Sequence, residues 1–263
     1  MTNSSDVLVP TSPDEAASAF GDGDGITVLA GGTIVMPEIT FGHLRPKRTL
    51  YLGRAGLDRI ERANGTYRIG ATTRVAALVG DAPEPLSTFA AHVGDYEIRG
   101  QATIGGNLCA PPAESLSRGD LQAPLLVLNA RVLSAGGGGE RTDSIDDFLA
   151  AGADARLVLE VEVDEPKRAA AAAIRRPHAH AYTILAVAAA ETPDGVRVAV
   201  AGAGPRAIRA SSVEQALSGG AAAEEAAEQA LTDVEPRDDA LASAAYRREV
   251  LPGLVARALS ELS

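Results

Sequence analysis

Tryptophan is absent from this 263-residue chain, aromatic residues make up 3% of it, and there is one cysteine, Cys109. Each shortage excludes something. Without a second thiol the chain builds no internal disulfide, no cysteine-based zinc site and no iron–sulfur cluster of its own. Cys109 reads as a small apolar residue rather than a redox thiol. With so few aromatic rings, the core has to be packed from aliphatic side chains and close backbone contacts. No apolar run is long enough to cross a bilayer. Met1 to Pro10 lacks the basic stretch and long apolar run of a signal peptide, so a cytoplasmic protein is the expectation. An excess of cations is missing too: 24 Lys and Arg stand against 35 Asp and Glu, a net charge of −11. Nucleic acid requires a basic footprint, so no nucleic-acid partner is expected. An anionic ligand is still permitted, because backbone dipoles hold phosphate without basic side chains. The four histidines, His43, His92, His178 and His180, invite a metal site, but His178 and His180, two apart beside Pro177, have no nearby acid or thiol to complete a set, and no metal site is expected.

What is present is apolar residues, 46% of the chain, enough for a real core and two domains. Two glycine-centred segments stand out: Leu29-Ala30-Gly31-Gly32-Thr33 and Thr103-Ile104-Gly105-Gly106-Asn107. Glycine lets the main chain turn tightly and bring its N–H groups up to phosphate oxygens, and Thr or Asn adds a side-chain donor. One such loop is a weak signal. Two suggest a diphosphate clamped from both sides.

Around these loops the pattern is mixed α and β. Val7 to Val9, Ile26 to Ala30, Arg48 to Leu52 and Tyr67 to Ala71 read as strands. Ser12 caps a helix that runs to Phe20, with Pro13 and two acids in its first turn. Gly21 to Gly25 is a turn, since Asp22 and Asp24 lack the rest of an EF-hand loop. Ile34 to Ile39 starts a short helix that Pro37 permits, and Thr73 to Val79 starts another behind Thr72 or Thr73. Leu121 to Ala130 reads as a buried helix, with Asp120 able to cap it, to accept hydrogen bonds from ribityl or ribose hydroxyls, or both. Gly136 to Gly139, between two strands, suits a flexible hairpin better than a phosphate loop, because no helix start follows. Leu157 to Val163 alternates apolar and acidic residues like a half-buried strand. The alanine run Ala169 to Ala173 marks the change of domain. Beyond it lie a mixed segment, Tyr182 to Ala190, a strand, Val196 to Ala201, and three helical patterns, Ser212 to Leu217, Ala221 to Leu231 and Ala240 to Leu262. The Ala-Glu run from Ala221 reads as a surface helix, and Arg175-Arg176 as a solvated or interdomain pair or a site for phosphate or a partner's carboxylates.

In order and spacing the chain resembles the FAD-binding medium subunit of molybdenum hydroxylases, the group containing carbon monoxide dehydrogenase and xanthine dehydrogenase. Ala30-Gly31-Gly32-Thr33 is similar to the family's first flavin loop and Thr103-Ile104-Gly105-Gly106-Asn107 to its second. Asp120 before an apolar helix, Ile174-Arg175-Arg176, and Ala242 to Arg248 resemble three further family segments, so the resemblance covers essentially the whole chain. It implies an α+β fold: a two-lobed FAD-binding domain of the vanillyl-alcohol-oxidase/cresol-hydroxylase type over 1–168, with lobes of about 1–56 and about 57–168. A small α+β C-terminal domain of the carbon monoxide dehydrogenase flavoprotein type would occupy 169–263.

By the same resemblance FAD lies between the lobes, touching Ala30, Gly31, Gly32, Thr33, Ile34, Thr103, Ile104, Gly105, Gly106 and Asn107, mostly through backbone N–H groups. Asp120 binds a hydroxyl, and Val158 packs near the flavin. No catalytic acid or base is implied. The implied role is an electron-transfer subunit. A large partner subunit carries the molybdenum-pterin cofactor, and a small one carries two [2Fe–2S] clusters. Electrons pass through FAD to NAD⁺, quinone or oxygen, in a heterotrimer or a dimer of heterotrimers. Three departures stand beside the match. The stretch from Cys109 to Ser115 is longer than in many relatives. Alanines fill the positions before Arg175 where relatives carry Lys or an aromatic. The single cysteine excludes the additional cluster that some relatives bear on this subunit. Two rival readings are a stand-alone FAD-dependent oxidoreductase on the same scaffold and a binding module with merely structural glycine loops.

Overall fold

The computed structural model describes residues 6–112, 119–153, 155–176 and 182–262. Three sheets organise them. The first is short and wholly parallel, in the order β1-β3-β2, from Asp6–Leu8 (β1), Ile26–Leu29 (β2) and Arg48–Tyr51 (β3). Helices Pro13–Phe20 (α1) and Val35–Thr40 (α2) make its crossovers. Helix α1 begins as its residues dictate: the Ser12 hydroxyl accepts the Glu15 N–H at 3.2 Å, the Glu15 carboxylate reaches back to the Thr11 N–H at 2.7 Å, and Pro13 opens the first turn.

The second sheet is antiparallel, in the order β4-β5-β8-β6-β7. Its strands are Ile60–Ala63 (β4), Thr66–Gly70 (β5), Arg131–Gly136 (β6), Arg141–Ser144 (β7) and Arg156–Asp164 (β8). Between β5 and β6 run helices Val75–Leu78 (α3), Leu86–His92 (α4), Tyr96–Gln101 (α5), Ile104–Leu108 (α6) and Gln122–Val127 (α7), and Ile145–Ala151 (α8) precedes β8. Several local expectations are corrected. Arg74, not a threonine, stands at the start of α3 and makes no side-chain cap bond, while the Thr73 hydroxyl donates to the Arg59 carbonyl at 3.3 Å. Asp120 does not cap α7: Leu121 holds that position, and its N–H is taken by the Asn107 side chain at 2.8 Å. That helix is also shorter than expected, because Asn129 turns the chain at φ +50. The four-glycine segment does form the hairpin turn between β6 and β7.

Strand β8 serves two cores because it is bulged. Leu133 pairs with Glu160 but Ser134 pairs with Val158, so Leu159 is the extra residue. Val158, Val161 and Val163 therefore face the helices of the large core, while Leu157 and Leu159 turn to a smaller one shared with Ala16, Phe20, Leu50 and Leu52 of the first layer. The first two sheets are joined through that smaller core. On the solvent face, Glu162 accepts from Arg68 at 2.9 Å and from Arg131 at 2.7 Å, lacing three strands together.

The third sheet, in the order β12-β11-β10-β9, comprises Arg168–Arg175 (β9), Thr183–Thr192 (β10), Gly195–Ala201 (β11) and Ile208–Arg209 (β12). The alanine run is thus a strand, although alanine favours helix in isolation. Packing overrides propensity. Ala186, Ala188 and Ala190 of β10 join the core beneath α7, while Leu185, Val187 and Ala189 join a second core under the last helix. Small side chains let the sheet lie close to a helix on either face. Helices Ser211–Ser218 (α9), Ala223–Ala227 (α10), Ala230–Asp233 (α11) and Ala244–Leu262 (α12) complete this layer. The Ala-Glu run is two helices rather than one, and Ala226, Ala227 and Ala230 are buried rather than at the surface. Among the described residues no helix is long and apolar enough to cross a membrane.

Arg247, 2% exposed, knots the C-terminal layer. It pairs with Asp239 at 2.7 Å and donates to the carbonyls of Arg237 at 2.6 Å and Ala242 at 2.9 Å. Removing the guanidinium takes the counter-charge from a partly buried carboxylate, which keeps only the N–H groups of Leu241 and Ala242, and leaves the Arg237 carbonyl without its donor. Arg247→Ala is expected to lower stability by about 3–5 kcal/mol, read as a fall in the urea midpoint. A loss under about 1 kcal/mol, the range of an exposed pair, would show that the knot is dispensable.

Candidate functional site

The two glycine loops meet across a cleft between the first and second layers, and they meet as backbone. The first loop leaves β2 at Leu29 and enters α2 after Ile34. Gly32 takes φ +76, a conformation glycine adopts without strain. A methyl group on Gly31 would run into the carbonyl of Gln101, which leads into the second loop. Among the described residues, no acceptor takes the N–H of Gly31, Gly32, Thr33 or Ile34. Four backbone donors in succession are left for something else.

The second loop differs, and here the sequence-based expectation is corrected. Its N–H groups are already bonded: Ile104 to the Thr73 carbonyl at 3.0 Å, Gly105 to Ala71 at 2.9 Å, Gly106 to the Thr103 hydroxyl at 3.1 Å and Asn107 to the Thr103 carbonyl at 2.9 Å. The Ala71 N–H in turn bonds the Leu159 carbonyl at the β8 bulge, at 2.9 Å. The second loop is therefore a rigid wall fastened to the sheet, and not a fan of free donors. Glycine at 105 is demanded by this fastening, since a methyl there would sit 2.8 Å from the Ala71 carbonyl oxygen. Ile104 is wholly buried, and Asn107 points into the interior to tie down α7. Neither side chain borders the cleft.

Two cavities flank the loops, and Ala30, Gly31, Gly32 and Thr103 border both. One, of about 600 Å³, carries the polar groups of Tyr51, Asp58, Arg74 and Gln101 beside Met36. The other, of about 540 Å³, is mostly apolar, with Thr27, Val28, Thr33, Ile34, Gly105, Gly106, Cys109, Leu157 and Val158 on its walls and Arg156 as its charged residue. An elongated ligand with an anionic middle and a ring system at each end fits this shape. The donor set fits FAD in the same sense: uncharged N–H groups for the diphosphate, apolar walls for a planar heterocycle. Sequence reasoning missed Tyr51, Asp58, Arg74 and Arg156, single polar residues with no motif around them.

Asp120 stands apart from both cavities' linings, near Arg175 and the second loop's tie to α7. Burial pushes its carboxyl up to about 6, against the opposing effects of its own backbone N–H and the Arg175 charge. The Nε of Arg175 is itself buried with no acceptor among the described residues. His92 is held below the usual imidazole range by burial, and by Arg175 and Arg99 as well. Arg176 turns the other way, donating to the Leu241 carbonyl at 2.8 Å. His43 pairs with Glu38 at the surface, at 3.1 Å. His178 and His180 lie outside the described residues, as do Ala113 to Arg118 of the stretch between the second loop and Asp120. Among the described residues no group of three or more His, Cys, Asp or Glu is placed to hold a metal ion.

Residues 3–163 match the FAD binding domain in molybdopterin dehydrogenase, and residues 168–262 match the CO dehydrogenase flavoprotein C-terminal domain. The uncharacterized protein YgfM of Escherichia coli K12 is 36% identical over 204 residues, covering 76% of this chain and 74% of its own length. The alpha subunit of the 6-hydroxypseudooxynicotine dehydrogenase complex of Paenarthrobacter nicotinovorans is 27% identical over 283 residues, covering 97% of this chain and 93% of that one. In three dimensions the chain shares its fold with a chain of the carbon monoxide dehydrogenase of Hydrogenophaga pseudoflava. The TM-score is 0.84 at 24% identity, with 98% of this chain and 96% of that one covered. The expected α+β fold, an FAD-binding part followed by a C-terminal flavoprotein part, is the fold observed. The chain belongs to the molybdopterin dehydrogenase FAD-binding family and is an FAD-binding oxidoreductase subunit of the molybdenum hydroxylase type.

Proposed function

We propose that this chain is the electron-transfer subunit between [2Fe–2S] clusters on a small partner subunit and an external acceptor, in a complex whose large subunit carries the molybdenum-pterin cofactor. The observation that carries the reading is the first glycine loop: four N–H groups with no acceptor among the described residues, standing between two cavities. Support for a multi-subunit assembly comes from the Paenarthrobacter relative, which is a subunit of a dehydrogenase complex. FAD, when bound, supplies the step between one-electron and two-electron transfer. The chain's own residues hold and orient it. Gly31, Gly32, Thr33 and Ile34 would donate to the diphosphate, with Ala30 giving close approach. Thr103, Gly105 and Gly106 form the opposite wall, and Ile104 and Asn107 support that wall from behind. Val158 would pack against a ring in the apolar cavity, and Asp120 would accept a hydroxyl. No proton transfer is asked of any side chain.

The first test is the visible spectrum of the protein purified with its untagged neighbouring chains. Flavin bands with iron–sulfur absorption and two co-purifying chains are expected. Flavin alone, reduced directly by a small substrate, would point to a stand-alone oxidoreductase. No flavin after reconstitution with FAD would remove both readings.

Gly31→Ala forces a methyl against backbone that cannot rotate away. A stability loss of about 1–3 kcal/mol is expected, with at least tenfold weaker FAD binding, read by denaturant titration and by absorbance of retained flavin. Wild-type FAD retention in this variant would show that the loops need not approach so closely.

Asp120 gives a pH signature. Its folded pKa of about 6 lies above the unfolded value near 3.8, so the empty protein loses stability as pH rises from 4 to 6, and the penalty is complete above 6. Asp120→Asn is expected to stabilise the empty protein by on the order of 2–3 kcal/mol at pH 7, with no difference below pH 4. The ionised carboxylate is the better acceptor for a cofactor hydroxyl. Wild-type FAD affinity should therefore fall as pH drops through 6, whereas the Asn variant binds more weakly at pH 7 and without that dependence. Equal pH profiles for the two proteins would remove Asp120 from the cofactor site.

A further inference from the structure

A buried cation beside the apolar cavity has no role in the cofactor reading so far. Arg156, at the first position of β8, is 8% exposed. Its Nε donates to the Ser134 hydroxyl at 3.0 Å, and its Nη2 donates to the carbonyls of Ser134 at 2.5 Å and Gly139 at 3.1 Å. Among the described residues, no carboxylate pairs with it within 4.0 Å, and no acceptor takes its Nη1. The β6 strand runs close beside the guanidinium: a methyl on Gly136 would lie 2.9 Å from Nη1 and 2.6 Å from the Ala155 carbonyl oxygen. The guanidinium is thus fixed from one side by three neutral acceptors and borders the 540 Å³ cavity with Val158, Thr27 and Ala153. Burial, with Arg141 nearby, draws its pKa below the ordinary arginine range against the pull of Asp143. Arginine nevertheless stays charged at any physiological pH.

A buried guanidinium without a counter-ion, and with a donor unfilled, is unfavourable in the empty protein. It becomes favourable when a ligand brings an acceptor. We propose that Arg156 reads the acceptor edge of the heterocycle that FAD places in this cavity, Nη1 donating a charge-assisted hydrogen bond to a ring nitrogen or carbonyl oxygen. The inference rests on the FAD reading above and adds a specificity-determining contact to it. Adenine and isoalloxazine both present such an edge. The geometry defines the acceptor that the cavity selects, and fragments of the cofactor identify which ring carries it.

The test uses flavin-free full-length protein and measures FAD affinity by the change in flavin fluorescence, with the melting temperature of the flavin-free form as a check on folding. Arg156→Gln keeps hydrogen-bonding capacity toward Ser134 and loses the charge. FAD binding about 10–100-fold weaker is expected, with the flavin-free melting temperature little changed. Arg156→Lys keeps the charge without the fork and should recover part of the loss. ADP and FMN as separate probes identify the ring: a loss confined to one of them supports the proposal, and a loss shared by both or by neither overturns it. An Arg156→Gln protein that folds and binds FAD within twofold of wild type overturns it as well. If the Gln variant does not fold, the Lys variant carries the test, with severalfold weaker FAD in support and wild-type affinity against. Failure of the wild-type protein to bind FAD would instead overturn the FAD reading itself.

Discussion

The approach of Gly31 to the Gln101 carbonyl, too close for any side chain to intervene, is the contact on which the site depends. It brings the end of a parallel strand in one layer against the lead-in to a helix in the other, backbone to backbone. Everything that lines the cleft follows from it. The first loop presents its N–H groups because it is held in place by steric contact and not by its own hydrogen bonds. The second can serve as a wall because its N–H groups from Ile104 to Asn107 are engaged with Ala71, Thr73 and Thr103. The loops look alike in sequence and are opposites in chemistry.

The C-terminal layer reaches this cleft indirectly. The alanines of β10 let the third sheet settle against α7, and Gln122 on that helix bridges the two parts: it donates to the Leu108 carbonyl at 3.0 Å and accepts the Ala207 N–H at 3.3 Å. A buried amide with both ends satisfied fixes one relative placement and penalises others. Arg175, arriving from β9, adds its charge to the surroundings of Asp120. A carboxyl held near 6 by burial is a defect in the empty fold and becomes useful only where a donor meets it.

Much of this was legible in the chain. The two glycine loops declared themselves because glycine doublets flanked by Thr or Asn have few other uses, and the alternation of Leu157 to Val163 marked a strand. The bulge at Leu159 was not legible, because it is made by the register against Leu133 and Ser134. The alanine run carried no period at all: with the same small side chain on both faces, the strand's alternating burial of Ala170 and Ala172 leaves no mark in the sequence. The engagement of the Ile104 and Gly105 N–H groups depends on partners some thirty residues away in the sequence, Thr73 and Ala71, and no local pattern announces them. Arg156 escaped notice for a related reason. A lone arginine reads as a surface residue until Ser134 and Gly139 are seen to enclose it.

A frame already set before any ligand arrives has a kinetic meaning. Neither glycine loop has to fold around its target. The second is bonded from Ile104 to Asn107, and the first is wedged against the backbone that leads into it. A ligand bound there would meet a surface whose conformational entropy was surrendered when the protein folded. In such a site little is left for an encounter to reorganise, so differences in affinity appear chiefly as differences in how long the ligand stays. The same steric contact that leaves no room for a side chain at Gly31 thereby favours a resident group over one that comes and goes.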